Sequence, residues 1–194
     1  MTPLTTDFVP RLRAALARRT AATLADAEAQ RAAVAVVVAG AADPAMLFVK
    51  RREREGDPWS GHVAFPGGFS SPGDASPAVT AARETEEETG LALSRLGEQI
   101  GVLDDVYPRS RLLPKVIVTP VVFVVPDRLP VTASDEVERA FWLPVADLYA
   151  SENRRPLVLE LPTGRQEFDS IVLDGHTIWG LTERVLSQIA TIIE

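Results

Sequence analysis

The sequence predicts a single α/β domain in which a mixed β-sheet carries helices on its faces. Three observations predict it. Residues 32–39 are a continuous apolar run and residues 115–125 a second, largely apolar stretch, both rich in β-branched residues, the signature of buried strands. Amphipathic helical patterns stand near both ends of the chain. Strand and helix signals alternate irregularly between them, without the repeating βαβ order of a fully parallel sheet. A length of 194 residues fits one domain. A chain of that size buries roughly 70% of its unfolded surface and needs no disulfide or metal staple.

The elements follow in order. Residues 7–20 read as a helix, with Phe8, Leu12 and Leu16 on one stripe and Arg11, Arg18 and Arg19 off it. Asp7 is its expected cap, and Pro10 suits the first turn. The strand at 32–39 and a returning strand at 45–51 flank an Asp43-Pro44 turn, which makes a hairpin. Residues 52–62 carry Gly56, Pro58 and Gly61 and read as a loop; residues 66–74 are expected to be irregular. Ser76 then caps a helix, Pro77 takes its first position and Gly90 stops it. The strand at 115–125 is interrupted by Pro120. Residues 144–149 read as a short helix. Residues 157–161 and 168–172 pair around Thr163-Gly164. Residues 177–193 form a last helix with Ile178, Leu181, Val185, Ile189 and Ile192 as its stripe.

Composition excludes several function classes. The chain has 20 basic and 27 acidic residues, so it lacks the global excess of Lys and Arg that a nucleic-acid polymer demands. A nucleotide-sized anion held by a few arginines or a metal remains compatible. The absence of cysteine excludes a disulfide framework, a thiolate nucleophile, a cysteine zinc site and an iron–sulfur cluster. His62 and His176 lie too far apart in sequence to suggest a histidine-rich metal centre. The longest apolar run, residues 32–42, falls well short of the ~20 residues of a membrane span. The N-terminus has no uninterrupted secretory core, and its Arg-rich helix resembles a transit peptide only faintly, so a cytoplasmic location is expected. No Walker, G-x-G-x-x-G or G-x-S-x-G motif is present.

The densest chemical signal is the run from Arg83 to Gly90, in which Glu84, Glu86, Glu87 and Glu88 crowd one helix. Glu84 and Glu88 are i,i+4 neighbours and Glu84 and Glu87 are i,i+3 neighbours, so their carboxylates share a face. Like charges at that spacing, near a helix C-terminus, oppose the helix dipole. Such a helix is either solvated there or binds cations; Glu86 points elsewhere. A solvated face is the plainer reading of the charges alone. The preceding Gly67-Gly68 pair, which lets backbone approach a ligand closely, favours the cation. Arg83 can hold the carboxylates by bidentate pairing. Hard oxygen ligands suit Mg²⁺ or Mn²⁺, and those ions suit diphosphate substrates.

Gly68-x5-Asp74-x8-Arg83-Glu84-Thr85-x-Glu87-Glu88-x-Gly90-Leu91 resembles the Nudix box, G-x5-E-x7-R-E-U-x-E-E-x-G-U with U a bulky apolar residue. Asp74 replaces the first Glu, one extra residue precedes Arg83, and Thr85 fills an apolar slot. The resemblance implies a Nudix-type α/β/α sandwich with a mixed β-sheet at residues 31–194, preceded by a helical extension at residues 1–30. It implies catalytic roles for Arg83, Glu84, Glu87 and Glu88, with Glu84, Glu87, Glu88 and the Gly68 carbonyl holding Mg²⁺ or Mn²⁺. The identity of the general base stays open among the glutamates and the metal, because coupled carboxylates do not titrate separately. The lead-in Gly61-x3-Phe65-Pro66-Gly67-Gly68, residues 30–38 and the tail at 178–186 are similar to the coenzyme A diphosphatase branch. That branch often carries the same Asp and extra residue. Its upstream motif is R-[S/A]-x3-R-x3-G. Arg52 matches the first Arg, but Glu53 stands at the small residue and Asp57 at the second Arg, with Arg51 and Arg54 nearby.

The expected partner is therefore a small nucleotide substrate, contacted by Arg51, Arg52, Gly67, Gly68 and Arg109. Coenzyme A or a derivative is the first reading. Another diphosphate (ADP-ribose, a dinucleotide or a nucleoside triphosphate) and a non-catalytic nucleotide sensor are the alternatives. Arg109 and Arg111 suit a terminal phosphate, or are simply exposed loop arginines. Asp135, Glu136 and Glu138 are placed in a loop; Glu136 is the best source of the extra carboxylate that Nudix proteins often use, and a solvated loop Glu is the plainer reading. His62 either touches substrate or makes one backbone bond. Trp59 either stacks on a base or packs under its loop, while Trp142 and Trp179 read as core. His176 is expected to precede or cap the last helix. A homodimer is compatible with the sequence.

Overall fold

The computed structural model describes residues 7–40, 42–56, 59–108, 113–161 and 164–194. In chain order the first half runs α1 (Phe8–Ala17), β1 (Gln30–Ala39), β2 (Ala45–Arg51), β3 (Val63–Ala64), β4 (Gly67–Phe69), α2 (Pro77–Thr89) and α3 (Leu93–Leu96). The second half runs β5 (Glu98–Val102), β6 (Val116–Val125), β7 (Val137–Pro144), α4 (Val145–Leu148), β8 (Arg154–Leu161), β9 (Gly164–Leu173), β10 (His176–Trp179) and α5 (Gly180–Ile193).

The main sheet is mixed, in the order β3-β2-β1-β6-β5, with β4 also paired to β1 and β7 to β2. β1 and β6 lie parallel at its centre, in register from Gln30 opposite Val116 to Ala39 opposite Val125. Their continuous apolar sequence follows from burial on both faces. On one face Ala33, Ala35 and Val37 meet Val121, Phe123 and residues of α2 and α3. On the other, Val36, Val38 and Val122 meet α1 and α5 through Phe8, Leu12, Val185 and Ile189. The molecule is thus an α/β/α sandwich, with α2 and α3 on one side and α1 and α5 on the other. A second sheet, β10-β9-β8, packs beside α5.

Pro120 stands inside β6, where proline is usually excluded. Its carbonyl accepts from Leu103 just beyond the end of β5, and the next contact on that side is an isolated bridge between Val106 and Val118. The missing N–H therefore falls where the neighbouring strand leaves the ladder.

Several sequence expectations need correction. Residues 66–74 are not wholly irregular, because residues 67–69 form β4 against β1, a strand of three residues that no periodicity can reveal. The last helix begins at Gly180, and His176–Trp179 is strand. Asp174 (φ 51°) and Gly175 (φ 75°) make a two-residue turn that pairs Leu173 with His176. Such Asp-Gly turns are a hairpin signal. His176 therefore opens a strand rather than capping a helix, and its ring stacks on Phe141 at 4.4 Å. β5, β7 and α3 are additional elements. Glu138 belongs to β7, not to a loop, and its carboxylate meets Lys50 Nζ at 2.9 Å. Asp7 occupies the cap position of α1 without a side-chain cap bond, and α1 stops at Ala17. Ser76, Pro77 and Gly90 (φ 70°) bound α2 as expected.

Candidate active site

The site begins at a split in one edge of β1. At its far end β1 pairs with β2 only through Val38–Met46 and Ala39–Ala45. Nearer its start the same edge takes β4, from Ala32–Phe69 to Val34–Gly67, and Ala35 N–H donates to the Pro66 carbonyl at 2.8 Å. This arrangement sets the Gly67-Gly68 backbone beside β1 in the sheet and against α2. A Cβ on Gly67 would lie 2.3 Å from the Ala33 carbonyl oxygen, and its φ of 154° suits glycine alone. A Cβ on Gly68 would lie 2.5 Å from the Glu84 carboxylate. One glycine serves the sheet and the other serves the acidic helix.

α2 supplies the charges. Arg83 Nη1 donates to Glu84 Oε1 at 2.8 Å and to Glu87 Oε2 at 3.1 Å. Its other edge makes a fork with Asp74: Nε to Oδ1 at 3.2 Å and Nη2 to Oδ2 at 3.0 Å. Asp74 also accepts from Ser71 N–H at 2.9 Å and Thr80 Oγ1 at 2.9 Å. The Arg83 bonds, and next the Ser71 amide, hold its carboxyl well below the usual range. Asp74 thus orients the arginine that orients Glu84 and Glu87. Its side chain is shorter than the Glu it replaces, and the extra loop residue accompanies that difference. Thr85 is fully buried, and its hydroxyl donates to the Ala81 carbonyl at 2.7 Å, leaving its methyl for the core.

Glu88 is buried, with 4% of its surface exposed, and its Oε2 accepts from Gly67 N–H at 3.0 Å. Burial pushes its pKa up to about 7, against the lowering by the Gly67 amide and the Arg51 charge; Glu84 and Glu136 add repulsion. Burial likewise raises Glu84, opposed by Arg83 and aided by Glu87 and Glu136. Glu87 is different: its side chain is mostly exposed and is drawn to Arg83. Glu84 and Glu88 therefore face β4, while Glu87 lies toward solvent.

Among the described residues, no three acidic or histidine side chains already converge as a complete metal cage. Mg²⁺ does not require one, since it takes one or two carboxylates and completes its shell with water and substrate phosphate. Glu84 and Glu88, both with raised proton affinity and both against the Gly67-Gly68 backbone, fit that donor set.

The remaining candidates sort as follows. Arg51 ends β2, half-buried, and its charge acts on Glu88. Arg52 sends its guanidinium to backbone carbonyls, Nε to Asp135 at 3.0 Å and Nη2 to Val137 at 3.4 Å. Glu136 is exposed, yet its charge reaches both Glu84 and Glu88. The loop before it is tied to α2, with Thr132 N–H on the Thr89 carbonyl and Ser134 N–H on the Glu88 carbonyl at 3.0 Å. No local sequence signal marks these contacts, which link residues more than 40 positions apart. His62 packs its ring 4.8 Å from Trp179 and accepts from Arg51 N–H through its carbonyl. Trp59 packs against the core beneath its loop. Trp142 and Trp179 are half-buried; Trp142 Nε1 donates to the Leu129 carbonyl at 3.0 Å. Asp57, Arg109 and Arg111 lie outside the described residues. A cavity of about 560 Å³ opens on the other flank of α2, toward α3 and β5, and takes in Arg83 and Glu87 but neither Glu84 nor Glu88.

The NUDIX domain model matches residues 29–161. The chain is 32% identical over 162 residues to the uncharacterised Nudix hydrolase NudL of Cronobacter sakazakii, across 83% of this chain and 81% of that protein. Identity to NudL of Escherichia coli K12 is 31% over 166 residues, with the same coverage. An uncharacterised protein of Schizosaccharomyces pombe is 37% identical over 113 residues, but the match spans 56% of this chain and only 34% of that one. Among solved structures, a MutT/nudix family protein from Enterococcus faecalis superposes with a TM-score of 0.55 at 19% identity, over 87% of this chain and 63% of its own. That likeness is one of fold.

Proposed function

This chain belongs to the NUDIX domain family, and from that premise we propose that its substrate is coenzyme A or a coenzyme A derivative. It is a Nudix pyrophosphohydrolase, acting on nucleoside diphosphate derivatives. Water attacks one phosphorus, the P–O–P bridge breaks, and the bridging oxygen leaves with the bonding pair. With coenzyme A the products are 3′,5′-ADP and 4′-phosphopantetheine.

The observation that carries the hydrolytic reading is the buried Glu88, held on the Gly67 amide beside Glu84 and the Gly68 backbone. Glu84, Glu88 and the Gly68 carbonyl are the groups that would hold Mg²⁺ or Mn²⁺, with Glu87 reaching in from the rim. Such an ion offsets the diphosphate charge and acidifies the attacking water. Arg83 holds Glu84 against β4 and Glu87 at the rim, and Asp74 keeps Arg83 in place. Glu136 supplies negative charge from outside the helix. Arg51, whose charge acts on Glu88, is the residue proposed to meet a substrate phosphate.

The coenzyme A assignment is supported by the Gly61-to-Gly68 lead-in and by the Asp74 form of the box. Asp57, where that branch has Arg, favours a second reading in which another diphosphate fills a changed pocket. A hydrolysis panel with Mg²⁺ or Mn²⁺ at mildly alkaline pH separates them. It contains coenzyme A, ADP-ribose, NADH, diadenosine polyphosphates and deoxynucleoside triphosphates, with Glu88→Gln as control. Preferential release of 3′,5′-ADP supports the coenzyme A reading. Preference for another diphosphate rejects it. Nucleotide binding with no turnover, the wild type no better than the control, would indicate a sensor module.

A further inference from the structure

We propose that Arg52 is a positioning residue, which holds the Glu136 carboxylate toward Glu84 and Glu88 by clamping the backbone on either side of it. The proposal rests on the hydrolytic reading of the acidic helix above. Resemblance alone puts Arg52 on the substrate. The structure gives its guanidinium another task.

The clamp has three bonds to three consecutive residues. Arg52 Nε donates to the Asp135 carbonyl at 3.0 Å, Nη2 to the Val137 carbonyl at 3.4 Å, and the Arg52 main-chain N–H to the Glu136 carbonyl at 3.4 Å. A planar guanidinium can span two carbonyls in this way, whereas the ammonium of lysine is a point donor. The register shift between β2 and β7 lies beside it. Lys50 stands opposite Arg139 and Arg51 opposite Val137, so Glu138 is the extra residue. Bulges of this kind bend a strand and re-aim its side chains. Here the bend runs directly into the clamped turn.

The far side of the same segment is held by α2. Thr132 and Ser134 donate to the terminal carbonyls of Thr89 and Glu88. Residues 132–137 are thus strung between the helix that bears the acids and the strand end that bears Arg52. Glu136 is the acid in the middle, and its charge is felt by both Glu84 and Glu88. Repulsion by those two acids would turn an exposed glutamate on an untethered loop outward. Arg52 opposes that with its bonds to the backbone on either side of Glu136.

The test uses the full chain as wild type, Arg52→Ala, Arg52→Lys, Glu136→Gln and the double variant Arg52→Ala/Glu136→Gln. Circular dichroism and thermal melts confirm folding, which an exposed arginine should not govern. Two readouts follow: kcat and KM for the diphosphate that the panel shows to be turned over, and Mn²⁺ titration without substrate. Removing a group that orients a metal-site residue typically costs 10- to 100-fold. We expect Arg52→Ala to lower kcat about tenfold with KM within twofold, Arg52→Lys to restore it only in part, and the double variant to match Glu136→Gln. Mn²⁺ affinity should fall in Arg52→Ala and in Glu136→Gln, and no further in the double variant. A rise in KM with kcat unchanged would place Arg52 on the substrate and overturn the proposal. So would losses that multiply in the double variant, or a silent Glu136→Gln. If the wild type turns over nothing, the hydrolytic reading fails separately. The Mn²⁺ arm then decides: unchanged affinity in Arg52→Ala overturns the clamp, and a loss shared with Glu136→Gln sustains it.

Discussion

Glu88 keeps a carboxyl in the protein interior on one backbone amide, and its proton affinity rises accordingly, to a pKa of about 7. An acid raised above its unfolded value binds more protons folded than unfolded between those two values. Stability of the metal-free protein therefore falls as pH rises from ordinary carboxylate values to about 7, then levels. Thermal melts in EDTA at pH 5 and 8 should show this decline in the wild type and a smaller one in Glu88→Gln. A divalent cation reverses the preference, because it takes only the deprotonated form. Mn²⁺ affinity should thus tighten as pH rises toward 7 and plateau above it, which isothermal titration across that range would register. The neighbouring acid Asp74 acts through Arg83 instead. Asp74→Asn should leave the chain folded and lower kcat by roughly tenfold, in the range for groups that orient metal-site residues. Retention of full kcat would show that Arg83 needs no such anchor.

The three-residue strand β4 joins sheet and helix, and its two glycines answer to different neighbours. Gly67→Ala drives a methyl into the β1 backbone at a φ that only glycine favours, so it should destabilise the fold by at least 1–3 kcal/mol in urea melts. Gly68→Ala meets the Glu84 carboxylate, the end of a side chain that can swing aside. It should keep most of the stability and lose turnover. Equal effects of the two substitutions on stability would contradict this division. The contrast is invisible in the Gly-Gly pair itself. It also shows why residues 66–74 look irregular in sequence: β4 is defined by what it lies against, not by its own pattern. α2 is the opposite case. Ser76, Pro77 and Gly90 mark both its ends locally, and the structure keeps them.

At the scale of the whole molecule, α1 is part of the core rather than an appendage, with Phe8 and Leu12 almost wholly buried. It packs on α5 and β5, far along the chain. Leu12→Ala should cost about 2–5 kcal/mol by deletion of buried methyl groups, read as a lower midpoint in urea. It should leave kcat unchanged well below that midpoint, because α1 and α2 pack on opposite faces of the sheet. A loss of kcat in the folded variant would mean that the two faces are coupled. No helix among the described residues is long and apolar enough to cross a membrane.

By itself the sequence determined the mixed-sheet α/β class, the central strands, α2 with its caps and the acid-rich turn of helix, since each rests on local periodicity, end signals or a dense motif. The hairpin of β9 and β10 was missed: Asp174-Gly175 is a turn signal for it, but the apolar helical stripe that took in Ile178 pointed to a helix from residue 177 instead. Tertiary structure alone decided which acids face β4. Glu84, Glu87 and Glu88 look equivalent on a helical wheel, but β4 buries Glu88, crowds Glu84 and leaves Glu87 to Arg83. It likewise decided the partners of Arg52, because those carbonyls lie more than 80 residues away. Periodicity and capping act within a few residues of chain. Burial, repulsion between carboxylates and bonds to distant carbonyls exist only once the sheet has brought β1, β4, α2 and β7 together.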